Sequence, residues 1–317
     1  MLGTAEGSGV SVLEILLLNF RKEVLPFLPE GEAAPMDSPS ADCSDISLVT
    51  SSTAVAAHNE DANVALVGHT YLIKATLSDG QTSFTAYTYA GELPSCAFGF
   101  NSHGLVISSL LRFLPRNKWI RVSATYIRTS KQKRWLGIMS FQAFTLNSVP
   151  PTKEEIQEGA TGRNFISRDL LEATGLGDAL QRLRLCNASV GHSYNLVDVR
   201  NRRIVNVETA SGNRLSIHEV GESPFFHANM YLHLQAEQAQ DENSMRRQRR
   251  AALLPAKSED DMLRLLGDSA DDKYPIYMTG PTLYTLCTVL INLDERTLTI
   301  LQGNPKCGEV SHVFELL

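Results

Sequence analysis

DCSDISLVTSSTAVAAHNED, residues 42–61, sets the architecture and chemistry of this 317-residue chain. Cys43 follows a segment of Gly, Glu, Ala, Pro and Ser (EGEAAPMDSPSA) that reads as an exposed loop, and it opens an apolar run, Ile46 to Val49, that reads as a strand. A thiol at a loop-to-strand junction is accessible, which a nucleophile requires. An acidic residue, Asp61, stands eighteen positions further on. An amide-cleaving cysteine needs a base, an oxyanion stabiliser and a group that holds the base in place. The chain has no local cysteine-protease signature to supply them.

Working outward, 43% apolar content is ample for a large core, in one domain or two. The formal net charge is −6 and the charges are dispersed, which points away from nucleic acid and anionic membrane as partners. Five cysteines without a CxxC pair favour free thiols in a reducing compartment, hence a cytoplasmic protein in which the sequon at Asn187 is unused. The eight histidines form no HExxH or other short-spaced pair, so neither a metal site nor another cofactor is expected. The most apolar run, Val10 to Leu18, is broken by Glu14 and followed by Asn19, Arg21 and Lys22. It is too short to span a membrane and lacks the marks of a secretory signal, so a buried helix is the reading.

In chain order, GTAEGSGVSVLEILLLNFRKEVL predicts one amphipathic helix of about four turns, capped at Ser8 or Ser11. From Ile46 to Ile107, apolar and polar residues alternate as in a meander of antiparallel strands. Asn164 to Arg184 reads as two short helices broken at Gly175-Leu176-Gly177. Two or three strands follow, turning at Arg200–Arg203 and Ser211-Gly212-Asn213. Ala236 to Asp272 is charged and helical, and its basic cluster RRQRR (residues 246–250), flanked by acids, reads as a solvated helix face. The tail is a hairpin turning at Asp294-Glu295-Arg296. Strands and helices in such blocks indicate an α+β protein with segregated layers.

Motifs along most of the chain carry a resemblance. EGSGV and LLLNFRKEV, then DCSD, HNED, GFNSHGL, AFTLNSV, HANMYL and TLYTLCTVLINLDERTLTILQGNP occur in an order similar to that of the fungal acyl-coenzyme A:6-aminopenicillanate acyltransferases and the related insect N-β-alanyl-dopamine hydrolases. These are self-processing N-terminal-nucleophile hydrolases. The resemblance implies a four-layer αββα sandwich and cleavage between Asp42 and Cys43. The freed α-amino group then serves as base, with the cleaved N-terminal segment retained as a heterodimer partner. It places the nucleophile on Cys43, the orienting carboxylate on Asp61 and the oxyanion donor on Asn229. By residue type alone, Asp61 and Asn229 also fit turn or strand-end roles. Asn101 is a weaker candidate for shaping the substrate pocket, with a β-turn amide as the competing role. His58 either contacts substrate or hydrogen-bonds within the sheet layer. The implied activity is hydrolysis or acyl transfer on a small N-acyl amine or acyl-thioester, through a thioester on Cys43.

Four features depart from the pattern. Aspartate, not glycine, precedes Cys43, and glycine reaches backbone conformations that aspartate does not. Residues 1–42 form a shorter pro-segment than the family's. Thr279 stands where the acyltransferase branch carries an arginine. Residues 106–142, basic and holding both Trp119 and Trp135, read as a non-core insertion. Removing them would join GFNSHGL to AFTLNSV as one continuous strand. The insertion's ends, a valine encoded by GTN and a glutamine encodable by CAG, match an in-frame retained intron; a basic hairpin excursion is the alternative. These departures keep open a second function class, a processing-defective or inactive homologue acting as a binding or structural protein.

Overall fold

The computed structural model describes residues 1–28, 43–80, 82–94, 97–103, 141–238 and 241–316. Three short helices come first: α1 (Leu2–Ser8), α2 (Val12–Asn19) and α3 (Arg21–Val24). Then follow β1 (Ser44–Val49), β2 (Ala54–Asn63), β3 (Thr70–Thr76), β4 (Thr82–Tyr89), β5 (Phe98–His103) and β6 (Phe141–Ser148). Helices α4 (Arg163–Leu170) and α5 (Leu176–Leu185) precede β7 (His192–Asp198), β8 (Arg203–Ala210), β9 (Arg214–Glu219) and β10 (Phe225–His227). The chain ends with α6 (Glu242–Ala251), α7 (Glu259–Leu266), β11 (Leu283–Asn292), β12 (Thr297–Gln302) and β13 (Glu309–Glu315).

Among the described residues the strands form two antiparallel sheets, ordered β10-β1-β2-β11-β12-β13 and β3-β4-β5-β6-β7-β8-β9. Side chains alternate across a strand, so a central strand here serves two cores. In β2, Ala54 and Ala56 join the apolar cluster between the sheets with Tyr87, Phe98 and Val197, while Val55 and Ala57 pack against Met262 and Leu265 of α7. On the far side, Phe144, Leu146 and Tyr194 pack against Ile166 and Leu170 of α4 and Ala179 and Leu183 of α5. The layers are therefore helix, sheet, sheet, helix, the α+β four-layer αββα sandwich expected. No helix among the described residues is long and apolar enough to cross a membrane. Four of the five cysteines are described, each as a free thiol.

Three local expectations are corrected. The predicted four-turn helix is broken because Gly9 adopts a left-handed φ of 73° that closes α1. Ser11 then starts α2 through a capping box with Glu14. The expected meander is split between sheets, β1 and β2 lying in one and β3 to β5 in the other. Finally, β6 does not continue β5 but pairs antiparallel beside it, with Phe98 opposite Thr145 and Ser102 opposite Phe141. The proposed insertion thus joins two neighbouring strands, and Phe141 and Gln142, assigned to it from sequence, belong to β6. Residues 104–140 lie outside the described residues.

The N-terminal helices dock on the domain through specific contacts. The Asn19 side chain bonds the main chain of Gly91 and Leu93 at 3.1 and 2.8 Å. Glu23 accepts from the Arg163 main-chain N–H at 2.9 Å. The Phe20 ring packs against that of Phe165 in a tilted arrangement, with centroids 5.1 Å apart.

Candidate active site

Cys43 lies immediately before β1, with its side chain buried between the sheets. Its Sγ is 3.7 Å from Glu60 Oε2 and 3.7 Å from the main-chain oxygen of Asp61. Strand pairing explains the convergence. Asp45 lies directly opposite His58 in the β1–β2 ladder, and the even-numbered residues His58 and Glu60 project from the same face of β2. A β-bulge opposite, where β11 shifts register between Thr285 and Cys287, alters the pairing at Asp61 and Glu60. Thr285 donates its hydroxyl to Asp61 Oδ1, and Tyr89 donates its hydroxyl to Glu60 Oε1.

His58 is fully enclosed, with Nδ1 2.9 Å from Asp45 Oδ1 and Nε2 2.9 Å from Glu60 Oε2. Burial alone would lower its pKa. The Asp45 carboxylate, supported by Glu60, outweighs burial and holds the imidazole well above its ordinary value. Both ring nitrogens can donate at once only in the imidazolium form. Of the two roles considered for His58, the structure shows the hydrogen-bonding one. Asp45 also accepts from Thr145 of the other sheet at 2.6 Å, and Asn195 Nδ2 bonds Thr145 at 3.1 Å. The polar cluster therefore crosses the interface between the sheets.

Burial pushes the Cys43 thiol up to about 12, and the Glu60 carboxylate adds to the shift while His58 opposes it. A thiol in this state carries little thiolate at neutral pH.

Asn229 follows β10, fully buried, and its Nδ2 donates to Ser148 O at 2.8 Å. Its Oδ1 accepts from Arg247 Nη2 at 2.8 Å. Arg247 corrects the reading of RRQRR as a solvated face. Arg246 and Arg250 stay at the surface, bonded to Asp271 and Asp268, but Arg247 is wholly buried. Its Nη1 donates to Cys43 O and Ser44 Oγ, each at 2.8 Å, and its Nε to Asn243 Oδ1 at 2.8 Å. The spacing Asn243, Arg247, Ala251 marks the buried face of α6 and is the signal that could have revealed it.

Asn101 is also corrected. Its Nδ2 donates to Leu171 O at 2.9 Å and Ala173 O at 2.8 Å, on the side of the sheet that carries α4 and α5. It is not brought together with Cys43, because alternation along β5 sends Phe98 and Phe100 toward the sheet interface and Asn101 the other way. Asp42, the expected processing partner, lies outside the described residues.

Although no metal site was expected, one donor atom from each of Cys43, His58 and Glu60 lies within 4.8 Å of the others. Sequence spacing concealed this cluster because strand pairing, not local repetition, assembles it.

The family model described as acyl-coenzyme A:6-aminopenicillanic acid acyl-transferase matches residues 49–122 and 142–307. A curated relative, the β-alanyl-dopamine/carcinine hydrolase of Drosophila melanogaster, is 25% identical over 96% of this chain and 75% of its own length. A solved structure of a Caenorhabditis elegans N-acylethanolamine-hydrolyzing acid amidase ortholog aligns with 84% of this chain and 93% of its own, at 11% identity and a TM-score of 0.42.

Proposed function

This chain belongs to the acyl-coenzyme A:6-aminopenicillanic acid acyl-transferase family, and from that premise we propose that it is a self-processing cysteine amidohydrolase carrying its acyl intermediate on Cys43. The observation that carries this reading is the single guanidinium of Arg247 bonded both to the main-chain oxygen of Cys43 and to the side chain of Asn229. Nucleophile and oxyanion donor are thereby held by one rigid group.

In the intact chain the Cys43 thiol, pushed up to about 12, is a weak nucleophile. Cleavage of the Asp42–Cys43 bond frees an α-amino group with an ordinary pKa of about 7.7–8, on the same residue as the thiol. That amine takes the thiol proton, with the Asp61 carboxylate orienting it. Sulfur then attacks the substrate's amide carbon, and the oxyanion receives an N–H from Asn229, whose Nδ2 carries two hydrogens and spends one on Ser148 O. The proton passes to the departing amine, leaving a thioester. Water cleaves it, releasing the acid and restoring Cys43. The contacts of Asn19, Phe20 and Glu23 with the domain support retention of the N-terminal segment as a heterodimer partner after cleavage.

The substrate class follows from charge. The Glu60 carboxylate stands 3.7 Å from the thiol, and the Asp61 carboxylate adds to the negative field there, which suits a substrate bearing an ammonium group over one bearing a carboxylate. β-Alanyl amines have that ammonium, and the Drosophila relative is named for two of them. Thr279, in place of the arginine expected of the acyltransferase branch, accords with this choice.

The test is intact mass together with turnover of β-alanyl-dopamine and carcinine. We expect two chains parting at residues 42 and 43 and amine release, both lost in Cys43→Ala. A single unprocessed wild-type chain without amide turnover would instead make it a non-catalytic binding or structural protein.

A further inference from the structure

We propose that Cys43, His58 and Glu60 form a binding site for a thiophilic divalent cation of the zinc class, and that occupation silences the nucleophile. Tetrahedral zinc takes sulfur at about 2.3 Å and nitrogen or oxygen at about 2.0–2.2 Å, which sets ligand-to-ligand separations of roughly 3.3–3.7 Å. Cys43 Sγ and Glu60 Oε2 already stand 3.7 Å apart. His58 Nε2 and Glu60 Oε2, at 2.9 Å, need to part by only about 0.5 Å to reach that geometry.

The surroundings are those of a ligating set. Metal-bound histidines donate their second ring N–H to a carboxylate or carbonyl, and His58 Nδ1 meets Asp45 at 2.9 Å. Tyr89 holds Glu60 Oε1, which leaves Oε2 directed at the sulfur. Occupation leaves the net charge of the cluster unchanged. A dication bound by a thiolate, a carboxylate and a neutral imidazole is a neutral unit, formed with release of the thiol proton and the Nε2 proton. Magnesium and calcium, which demand six or more oxygen ligands, do not suit these donors.

A tetrahedral ion needs one ligand more. The α-amino nitrogen of a processed Cys43 would close a five-membered chelate ring with its own sulfur, so the mature form should bind more tightly than the precursor. This fourth ligand alone rests on the processing proposed above. Any amide that reaches Cys43 Sγ uses a path wide enough for an ion.

Cobalt(II) is the probe. Titrated into the full chain, it should give one equivalent of a tetrahedral species with a thiolate-to-cobalt charge-transfer band. The band should vanish in Cys43→Ser and in His58→Ala, weaken at least tenfold in affinity in the shape-preserving Glu60→Gln, and survive in Cys287→Ser. Asp45→Asn should lower affinity by about 10–100-fold. Zinc should inhibit amide turnover in proportion to occupancy, and a chelator should restore it. Absence of the band, its persistence in Cys43→Ser, or indifference to both His58→Ala and Glu60→Gln would overturn the site; activation by zinc would overturn its silencing role. The spectroscopic arm needs neither processing nor turnover, so it stands or falls separately from the enzymatic reading.

Discussion

The Nη1 atom of Arg247 donates to the carbonyl oxygen of Cys43 at 2.8 Å, joining the middle of α6 to the start of β1 across 204 positions of sequence. Its Nη2 holds Asn229 in the same plane of bonds. A lysine can keep the charge but cannot present a planar fork to both acceptors. Arg247→Lys should therefore retain the fold while lowering kcat by about 10–100-fold with KM little changed, the cost of small misplacements at a reacting centre. Arg247→Met should instead destabilise the chain, at about 1–3 kcal/mol for each buried acceptor left without its donor. Steady-state kinetics and denaturant unfolding separate the two effects.

For Asn229 the informative change is to aspartate. Asn229→Asp keeps the shape and gives Arg247 a carboxylate partner, but it removes both amide hydrogens. The chain should fold with some loss of stability, because the carboxylate can no longer donate to Ser148 O, while kcat falls by about 10²–10³, the usual effect of losing one oxyanion donor. Wild-type kcat in a folded Asn229→Asp chain would make the amide structural.

Asp61 was singled out by the resemblance and not by alternation, since AVAAHNED shows none; the structure brings its main-chain oxygen within 3.7 Å of Cys43 Sγ. Asp45 was not legible as the partner of His58, since their pairing depends on the register of a turn. Arg247 was hidden in a run whose overall polarity dominated its helical phase. Composition judges the five residues together, whereas the helix sends only the one in line with Asn243 and Ala251 inward. Alternation in AFTLNSV established a strand but not its direction, because the same pattern serves a continuation of β5 or an antiparallel neighbour.

Asn101 offers a test of the corrected assignment. Its two hydrogen bonds satisfy the carbonyls of Leu171 and Ala173 just after α4, where a helix leaves acceptors unpaired. Asn101→Ala should cost roughly 1–3 kcal/mol of stability. Thermal unfolding should shift while kcat and KM hold. A raised KM with unchanged stability would return Asn101 to the substrate pocket.

Glu208 predicts an acid limb in the stability profile. Its Oε1 accepts from the Leu232 N–H at 2.6 Å and lies 3.0 Å from His227 Nε2, while its Oε2 accepts from the N–H groups of His233 and Leu234 at 3.0 and 2.6 Å. Burial pushes its pKa up, but the His227 imidazole and these main-chain donors outweigh burial and hold it below its ordinary 4.5. The unfolded chain, with the ordinary value, therefore binds a proton here before the folded chain does. The contribution to stability is complete above about 4.5 and is lost as pH falls from there through the depressed folded value. Glu208→Gln cannot titrate and turns an amide N–H toward existing donors. It should be less stable than wild type at neutral pH by roughly 1.5–3 kcal/mol or more, the contribution of a hydrogen bond to a charged group. The gap should narrow as pH drops below 4.5, as measured by urea unfolding across pH. Parallel profiles for the two chains would mean that Glu208 is not the ionised anchor holding residues 232–234 against β8.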